Sequence, residues 1–463
     1  MPTDPTPAEN SARGNAASLP PELVSIILDY IPEDMQWSSI LHNCALVSSA
    51  WRQLSQARLF STASLSTTAV CKAWNRKLDH YPDLALYVTT LSLWGGDADD
   101  EDGAISLFME SDDLKALLPR FPNVRTLVLE EFSIWGDSEQ ALVSQFHQVE
   151  KLHIDVRFSE PHQMLELASH MRNIRNLSIG DLGFCCWNIT GLDKPFMDRM
   201  QEVGGLLEKW NPRGVAPIRL QKLKLTNLHN QTDILMWFSS PSFDLSDLQV
   251  LTFDWRAGTQ QMDTNILTQF VSKAGRFVRH LYLYSDGIDT DLLPGMPFHT
   301  ASLNFTDEKP NSEKLISSRL LNDFVSLETI AIADAPYSRD SWRQNLGLTF
   351  ASKLLLTVPS TLKQVDIGMY IVFDREHTPG NLLQLPEWNS LDQLLTGSKF
   401  VGLQYLNLYV NLYIPPFVSE EQGLVIREAV TTSIERLLPR LSSRHMLKLN
   451  VKRRSCESKS RST

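Results

Sequence analysis

The sequence lacks the features expected of a secreted, membrane-bound or nucleic-acid-binding protein. Its 5 cysteines form no CxxC pair and no regular spacing, which is typical of a reduced compartment where cysteine is a small apolar residue. No apolar run reaches the roughly 20 residues that a membrane span needs. The net charge is −11, so a nucleic acid or an anionic membrane is not the expected partner. We therefore expect a cytoplasmic or nuclear protein.

Signature motifs of catalysis and of metal binding are also missing. The sequence contains no G-x-S-x-G, no P-loop and no G-x-G-x-x-G, and its 11 histidines show no ligand spacing. The acidic stretch 96–103 lacks the glycine position of a calcium loop, so a solvated loop is the favoured interpretation. No cysteine lies in a motif that would activate a thiolate. We predict no enzyme activity, no metal site and no cofactor.

What the sequence does contain is a recurring phrase, apolar-x-x-apolar-x-apolar. Copies begin at Val88, Val124, Val149, Ile174, Leu220, Leu248, Val278, Leu327, Leu362, Leu403 and Met446. A phrase that returns every few tens of residues indicates one supersecondary unit stacked many times. The steps between copies are even around Leu127, Leu152 and Leu177. Longer steps later in the chain imply insertions, or a degenerate copy at 302–305.

Helical patterning fills the intervals between the phrases. The predicted helices are Ile105–Leu118, Ser138–Phe146, Pro161–Met171, Phe196–Trp210, Met262–Ala274, Ser312–Phe324, Asp340–Thr357 and Glu420–Leu438. Strands that alternate with helices in one direction build a parallel sheet with helices outside. The sequence therefore predicts an α/β fold over residues 61–452.

A different, helical segment precedes the first copy of the recurring phrase. Leu19-Pro-Pro-Glu-Leu begins a helix, because proline is tolerated in a first turn where its missing N–H would have no partner. Five apolar residues then follow at helical spacing: Leu23, Ile26, Ile27, Tyr30 and Ile31. A second helical run is predicted from about Ser38 to Gln56. Such short helices bury little area, so we expect them to pack against the repeats or against a partner.

These front residues resemble an F-box of the form common in fungal proteins. The resemblance rests on the Leu19-Pro-Pro-Glu-Leu opening, the Leu46-Val-Ser stretch and the Trp51-Arg pair in that order, and it covers residues 18–60 alone. The stretch between Pro32 and Leu41 is slightly longer than usual. The resemblance implies a small helical motif that docks on the Skp-family adaptor of a cullin-RING ubiquitin ligase. The matched docking positions are Leu19, Pro20, Glu22, Leu23, Ile26, Ile27, Leu46, Val47 and Trp51. Alternatively, the segment only caps the repeats.

The series of recurring phrases resembles the leucine-rich-repeat domain that often follows an F-box. This implies an irregular solenoid with parallel strands on the concave side and helices outside. The asparagine usual in such repeats is nearly absent, and only Asn411 matches it. Side chains between the core apolars would lie on the concave face, among them Asp366, Asn407 and Lys448. The aromatic residues predicted to contact substrate there are Trp94, Tyr282, Tyr284, Tyr405 and Tyr409. Alternatively, a loop between repeats covers them.

The predicted organisation has four parts: a disordered leader at 1–17, the F-box at 18–60, the leucine-rich-repeat-like domain at 61–452, and a disordered basic tail at 453–463. The resemblance implies a substrate adaptor of an SCF-type (Skp–cullin–F-box) ubiquitin ligase. Its F-box would bind the Skp-family adaptor, and its repeats would bind a protein substrate of unknown identity. The alternative function is a repeat scaffold for protein interactions without coupling to a ubiquitin ligase.

Overall fold

The computed structural model describes residues 19–31, 37–95, 111–135, 137–158, 161–180, 183–184, 217–226, 231–254, 264–285, 320–334, 346–372, 386–414 and 418–455. The chain divides into two compact units, Met1–Leu152 and His153–Thr463. The predicted leader at 1–17 lies outside the described residues.

Three helices open the first unit, and strands then alternate with further helices. The helices are α1 (Pro21–Asp29), α2 (Trp37–Cys44), α3 (Ser49–Leu59), α4 (Thr68–His80), α5 (Asp112–Leu117) and α6 (Asp137–Val143), with 3-10 helices at Pro82–Tyr87 and Leu118–Arg120. The strands are β1 (Thr62–Leu65), β2 (Thr90–Trp94) and β3 (Thr126–Trp135). The division between the two units falls within the next strand, β4 (Lys151–Phe158).

The predicted single helix from Ser38 to Gln56 is wrong, because the chain forms two helices there. Ser48 has extended backbone and its hydroxyl accepts a hydrogen bond from the backbone N–H of Trp51 at 3.4 Å. This cap begins α3 as a new helix, since a serine oxygen replaces the partner that the first N–H groups lack. The three front helices then share a small core of their own around Val24, Leu28 and Leu41.

Strands β1, β2 and β3 run parallel in that order. The core apolars of the recurring phrase lie side by side: Ala63 pairs with Leu91, and Leu91 pairs with Leu127. The sequence analysis placed no strand at β1. Its phrase is present nevertheless, as Phe60-x-x-Ala63-x-Leu65, with a small residue at the middle apolar position.

The second unit continues the same alternation. Its helices are α7 (Pro161–His170), α8 (Gln231–Ser239), α9 (Thr264–Ala274), α10 (Leu346–Thr357), α11 (Pro386–Leu395), α12 (Glu420–Leu437) and α13 (Pro439–Ser443). Its strands after β4 are β5 (Asn176–Ile179), β6 (Gly183–Phe184), β7 (Ile218–Arg219), β8 (Lys222–Leu225), β9 (Phe243–Asp244), β10 (Val250–Asp254), β11 (His280–Ser285), β12 (Thr329–Asp334), β13 (Gln364–Val372), β14 (Tyr405–Ile414) and β15 (Leu447–Ser455).

The main sheet of this unit is parallel and follows the order β5-β8-β10-β11-β12-β13-β14-β15. Strands β7 and β9 form a separate parallel pair, and β6 pairs with β4. The α/β class and the parallel sheet predicted from the recurring phrase are confirmed. Strand β15 continues to Ser455, past the predicted end of the repeat domain at 452.

Nine of the described strands, β2 to β4, β8 and β10 to β14, enter the sheet in the same way, whereas β15 enters differently. The carbonyl oxygen of Glu328 accepts hydrogen bonds from the backbone N–H groups of Lys363 at 2.8 Å and of Gln364 at 3.0 Å. Equivalent double acceptors are Arg175, Gln221, Gln249, Arg279 and Lys363 in the second unit, and Ser61, Thr89 and Arg125 in the first. The apolars of the phrase are then held in lateral register, as with Leu251 beside Leu281. One local geometry is thus repeated along each unit.

Direct strand pairing explains the uneven spacing between copies of the recurring phrase. Strand β5 pairs with β8, and β11 pairs with β12, so each long step is an insertion between neighbouring strands. The degenerate copy predicted at 302–305 lies outside the described residues.

The last copy of the phrase is displaced by two residues from its predicted register. The prediction aligned Leu449 with Leu406, whereas Leu447 pairs with Leu406 and Leu449 with Leu408. Apolars at every second position of β15 fit either register, so the pattern alone does not choose between them. The entry from α13 decides it: His445 has a positive φ of 55°, and the backbone N–H of Met446 donates to the carbonyl of Leu441 at 3.0 Å.

Helix ends follow local side-chain chemistry. Helix α12 begins with a capping box, in which the Ser419 hydroxyl accepts from the Gln422 N–H and the Gln422 side chain accepts from the Ser419 N–H, both at 3.2 Å. At the C-terminal end of α8, the Lys273 ammonium donates to the carbonyls of Ser239 at 3.3 Å and Ser240 at 2.7 Å. Lys399 closes α10 similarly, donating to Leu356 O at 2.6 Å. Cations at helix C-terminal ends are favourable because the last carbonyls lack partners within the helix.

Candidate binding surfaces

Two surfaces collect the residues that the sequence analysis singled out, one in each unit. The first is on the three front helices. Helix α1 buries Val24 and Leu28 against Leu41, which turns its other apolar residues toward solvent. Ile26 is 50% exposed, and Leu46, in the turn between α2 and α3, is 78% exposed. The exposed apolar set, called the helical surface below, comprises Leu23, Ile26, Ile27, Leu46 and Val47.

The remaining predicted docking residues differ in exposure. Pro20 and Glu22 are exposed beside the helical surface. Leu19 and Trp51 instead pack against the core of the three helices and so support them from within. Tyr30 is also exposed, although the sequence analysis counted it only as part of the apolar stripe.

A basic side chain ties the ends of this helical unit together. The Arg58 guanidinium, on α3, donates to the Ser25 carbonyl of α1 at 2.9 Å and forms an ion pair with Asp29. A large exposed apolar set on a braced unit is unusual for a surface that only faces water, and such sets mark sites where another protein binds.

The second surface is the face of the second unit's sheet that is turned away from the buried leucines. Residues at one level of the sheet lie side by side on consecutive strands. This level, called the Asp366 row below, runs Tyr282, Ala331, Asp366, Asn407 and Lys448. The next level on the same face includes Ala333, Gly368, Tyr409 and Asn450.

Asp366 is the centre of this row and is only 6% exposed. The Gln364 side-chain nitrogen donates to both of its oxygens at 2.9 Å, and the Asn407 side-chain nitrogen donates to Oδ1 at 2.5 Å. Burial raises the pKa of Asp366, while these two hydrogen-bond donors and the Lys448 ammonium oppose the rise. A buried carboxylate with two amide donors is thus held on a face that the repeats would otherwise leave to solvent.

Two tyrosines lie close to this carboxylate. Tyr282 and Tyr409 both pack against Ala331 and Ala333, two buried alanines of β12. Burial raises the pKa of both phenols, and the negative charge of Asp366 raises it further. Because the floor between the rings consists of alanine, both rings reach the same small region of the sheet face.

The third tyrosine of this region holds a cation. The Lys448 ammonium lies 3.7 Å from the ring centroid of Tyr405, which is a cation–π contact. Tyr405 also lies one level below Asn407 on β14. The structure therefore brings Tyr282, Tyr405 and Tyr409 together around the Asp366 row.

The other two predicted aromatics are placed differently. Tyr284 belongs to β11, but its side chain lies outside the described residues. Trp94, in the first unit, is 46% exposed at the end of β2, where it pairs with Glu130. The sequence analysis put Asp366, Asn407 and Lys448 on the correct face but did not recognise them as one cluster. It missed the alanine floor, whose signal is the Ala331-Ile-Ala333 alternation in β12.

Within the described ranges, no group of three His, Cys, Asp or Glu side chains could hold a metal ion. No helix among the described segments is both long and apolar enough to cross a membrane. Cys71 is buried, which raises the pKa of its thiol to about 11 and keeps it protonated at neutral pH.

Comparison with models of protein families gives no match to this chain, and comparison with curated proteins gives none either.

Proposed function

We propose that the protein is a substrate-recognition adaptor of an SCF-type ubiquitin ligase. The single observation that carries this proposal is the helical surface, where Leu23, Ile26 and Ile27 project outward from a helical unit that already has its own core. An apolar helix face with solvent on it fits helix-in-groove recognition, in which apolar anchors supply the affinity. The order of the front motifs resembles an F-box, so the fitting partner is a Skp-family adaptor.

The repeats supply the substrate-binding part of the proposal. Nine strands that enter the sheet through the same double acceptor support a leucine-rich-repeat-like solenoid. The strand face with Tyr282, Asp366 and Tyr409 is the proposed substrate-binding surface. Half-buried tyrosines on such a face suit protein recognition because they give large contact area with few rotatable bonds.

In this role the protein itself performs no bond chemistry. Binding the ligase and the substrate to one chain raises the effective concentration of substrate lysines near the charged conjugating enzyme. Rate enhancement of this kind comes from proximity and needs no catalytic residue in the adaptor.

The test is capture of a purified Skp-family adaptor by the full chain. The double change Ile26→Asp and Ile27→Asp should weaken capture by about 100-fold or more, because two apolar anchors are lost and two charges would be buried. Both residues are exposed, so the thermal unfolding midpoint should stay near that of the wild type. Titration by surface plasmon resonance measures the first quantity, and circular dichroism measures the second.

The matched control is Leu356→Asp, which places the same charge at an exposed leucine of α10 in the second unit. It should leave adaptor capture unchanged. If the wild-type chain does not bind a Skp-family adaptor, the ligase coupling is lost and a repeat scaffold without that coupling is the remaining function. Equal loss in the control and in the double variant would show that the helical surface is not the docking site.

A further inference from the structure

We infer that the sheet face around Asp366 recognises a lysine side chain of the substrate. The ammonium group would bind between the Asp366 carboxylate and the rings of Tyr282 and Tyr409. This specificity rests on the proposed function, since it names what the substrate-binding surface selects: a protein segment that presents an exposed lysine.

The hydrogen bonds of Asp366 limit what a ligand can add. An ionised carboxylate has about four acceptor positions on its two oxygens. Gln364 uses one on each oxygen, and Asn407 uses the second position on Oδ1. Among the described residues, these hydrogen bonds therefore leave one position on Oδ2. A single strong donor fits there, whereas the parallel two-bond contact that favours arginine needs a free position on both oxygens.

The tyrosines add a second attraction for a compact cation. Tyr282 and Tyr409 pack on the same alanine pair and both lie within the field of Asp366. A cation close to a tyrosine face is stabilised by about 0.5–2 kcal/mol, depending on its desolvation. Since Ala331 and Ala333 end at Cβ, no side chain rises from the floor to occupy the position between the rings.

The face also shows how it treats an ammonium group. The ammonium group of Lys448 lies over the ring of Tyr405, and its positive charge acts to lower the pKa of Asp366. Lys448 would therefore repel a bound lysine and would attract a bound anion. Lys222 and Lys224 lie on the same face of the sheet, on β8, two strands away from Tyr282. Removal of Lys448 thus changes the affinity for cationic and anionic ligands in opposite directions.

The probe is a library of random twelve-residue peptides displayed on phage, selected against the full wild-type chain. Selection should enrich lysine over the starting library. A synthetic peptide from the selection should lose about tenfold or more in affinity when its lysine is replaced by norleucine, because the charge is removed while the chain length is kept. Replacement by arginine should cause a smaller loss. Fluorescence anisotropy measures these affinities.

Variants of the protein then assign the effect to this site. Asp366→Asn should lower the affinity for the lysine peptide by about tenfold or more, and Tyr282→Leu should lower it by about threefold or more. Lys448→Met should strengthen it by about threefold. The control Asp247→Asn removes an exposed carboxylate elsewhere and should change nothing. Circular dichroism shows whether each variant retains the wild-type fold.

Three results would overturn the inference. They are selection without lysine enrichment, equal binding by wild type and Asp366→Asn, or weaker binding by Lys448→Met, which would identify an anionic ligand. None of these affects adaptor capture through the helical surface. Failure of the lysine specificity is therefore distinguishable from failure of the proposed function, which falls only when the Skp-family adaptor is not bound.

Discussion

Asn407 and Asn411 lie on the same face of β14, and their side-chain nitrogens differ in hydrogen bonding. Asn407 donates to Asp366. Asn411 is only 2% exposed, and among the described residues nothing accepts a hydrogen bond from its Nδ2. The sequence analysis matched Asn411 to the asparagine that ends a repeat strand. The strand instead continues to Ile414, so Asn411 pairs laterally with Tyr370 and Lys452.

Substitution of asparagine by leucine should change the free energy of unfolding in opposite directions at these two positions. Asn411→Leu should raise the free energy of unfolding by about 1 kcal/mol, because it replaces an unpaired buried donor with an apolar group of similar size. Asn407→Leu should lower it by about 1–2 kcal/mol, since the buried carboxylate of Asp366 loses a donor. Urea denaturation of both variants measures the difference. A change of the same sign in both would contradict this account of the two amides.

The buried carboxyl group of Asp366 should make the free energy of unfolding depend on pH. Burial raises its pKa in the folded protein, and Gln364, Asn407 and Lys448 only reduce that rise. The folded state therefore keeps its proton to higher pH than the unfolded state does. Stability is lost as the pH rises from the ordinary value of about 4 through the raised pKa. The variant Asp366→Asn should escape this loss.

The measurement is the difference in unfolding free energy between Asp366→Asn and wild type across the acid range. It should move in favour of the variant as the pH rises through that window, and it should level off above the raised pKa. A flat difference, or one that moves toward the wild type, would show that burial does not dominate at Asp366.

Residue alternation predicts which face each tyrosine occupies, but it does not predict the cluster. Tyr282 and Asp366 come together only because β11 pairs directly with β12, in the register that puts Ala331 between them. A long intervening segment separates those strands in the sequence, and no pattern in the phrase gives the lateral neighbour. Asn407 reaches Asp366 through the separate pairing of β13 with β14, and Gln364 lies two residues before Asp366 on the same strand; neither contact was predicted.

The C-terminal end of helix α8 depends on the Lys273 ammonium. This group donates to the carbonyls of Ser239 and Ser240, and burial lowers its pKa while the charge of Asp244 opposes the shift. Lys273→Met should lower the free energy of unfolding by about 1–3 kcal/mol, because partly buried carbonyls lose their donor. Lys353→Met, at an exposed position of α10, is the matched control and should stay within about 0.5 kcal/mol of wild type. Thermal and urea unfolding give both values, and equal effects would exclude the capping role.

Strands were easier to predict than helices. Every phrase named in the sequence falls on a strand, because alternating apolars that face a core need only a short local pattern. Helices α4, α8 and α11 were missed. In α4 the buried residues are only Cys71 and Leu78, so its apolar stripe is sparse and its polar residues dominate the pattern. The predicted helix Phe196–Trp210 lies outside the described residues, as do the starts of those predicted at Ile105, Ser312 and Asp340.

The proposed stack of repeats predicts that the same substitution costs less at the last strand of the sheet than inside the sheet. Leu408→Ala, in β14 with a strand on each side, should lower the free energy of unfolding by about 3 kcal/mol or more. Leu449→Ala, in β15, should cost about 1 kcal/mol, because that leucine is half-buried and has a single neighbouring strand. Guanidinium denaturation compares the two. Equal losses would indicate a closed core in place of a stacked array.

The direct pairing of β5 with β8, and of β11 with β12, has a consequence for how this chain tolerates change in length. The strands on either side of each long segment are already joined by their own backbone hydrogen bonds, so the spacing along the chain does not set their alignment. Insertion of residues between β11 and β12 should therefore leave Leu281 beside Ile330.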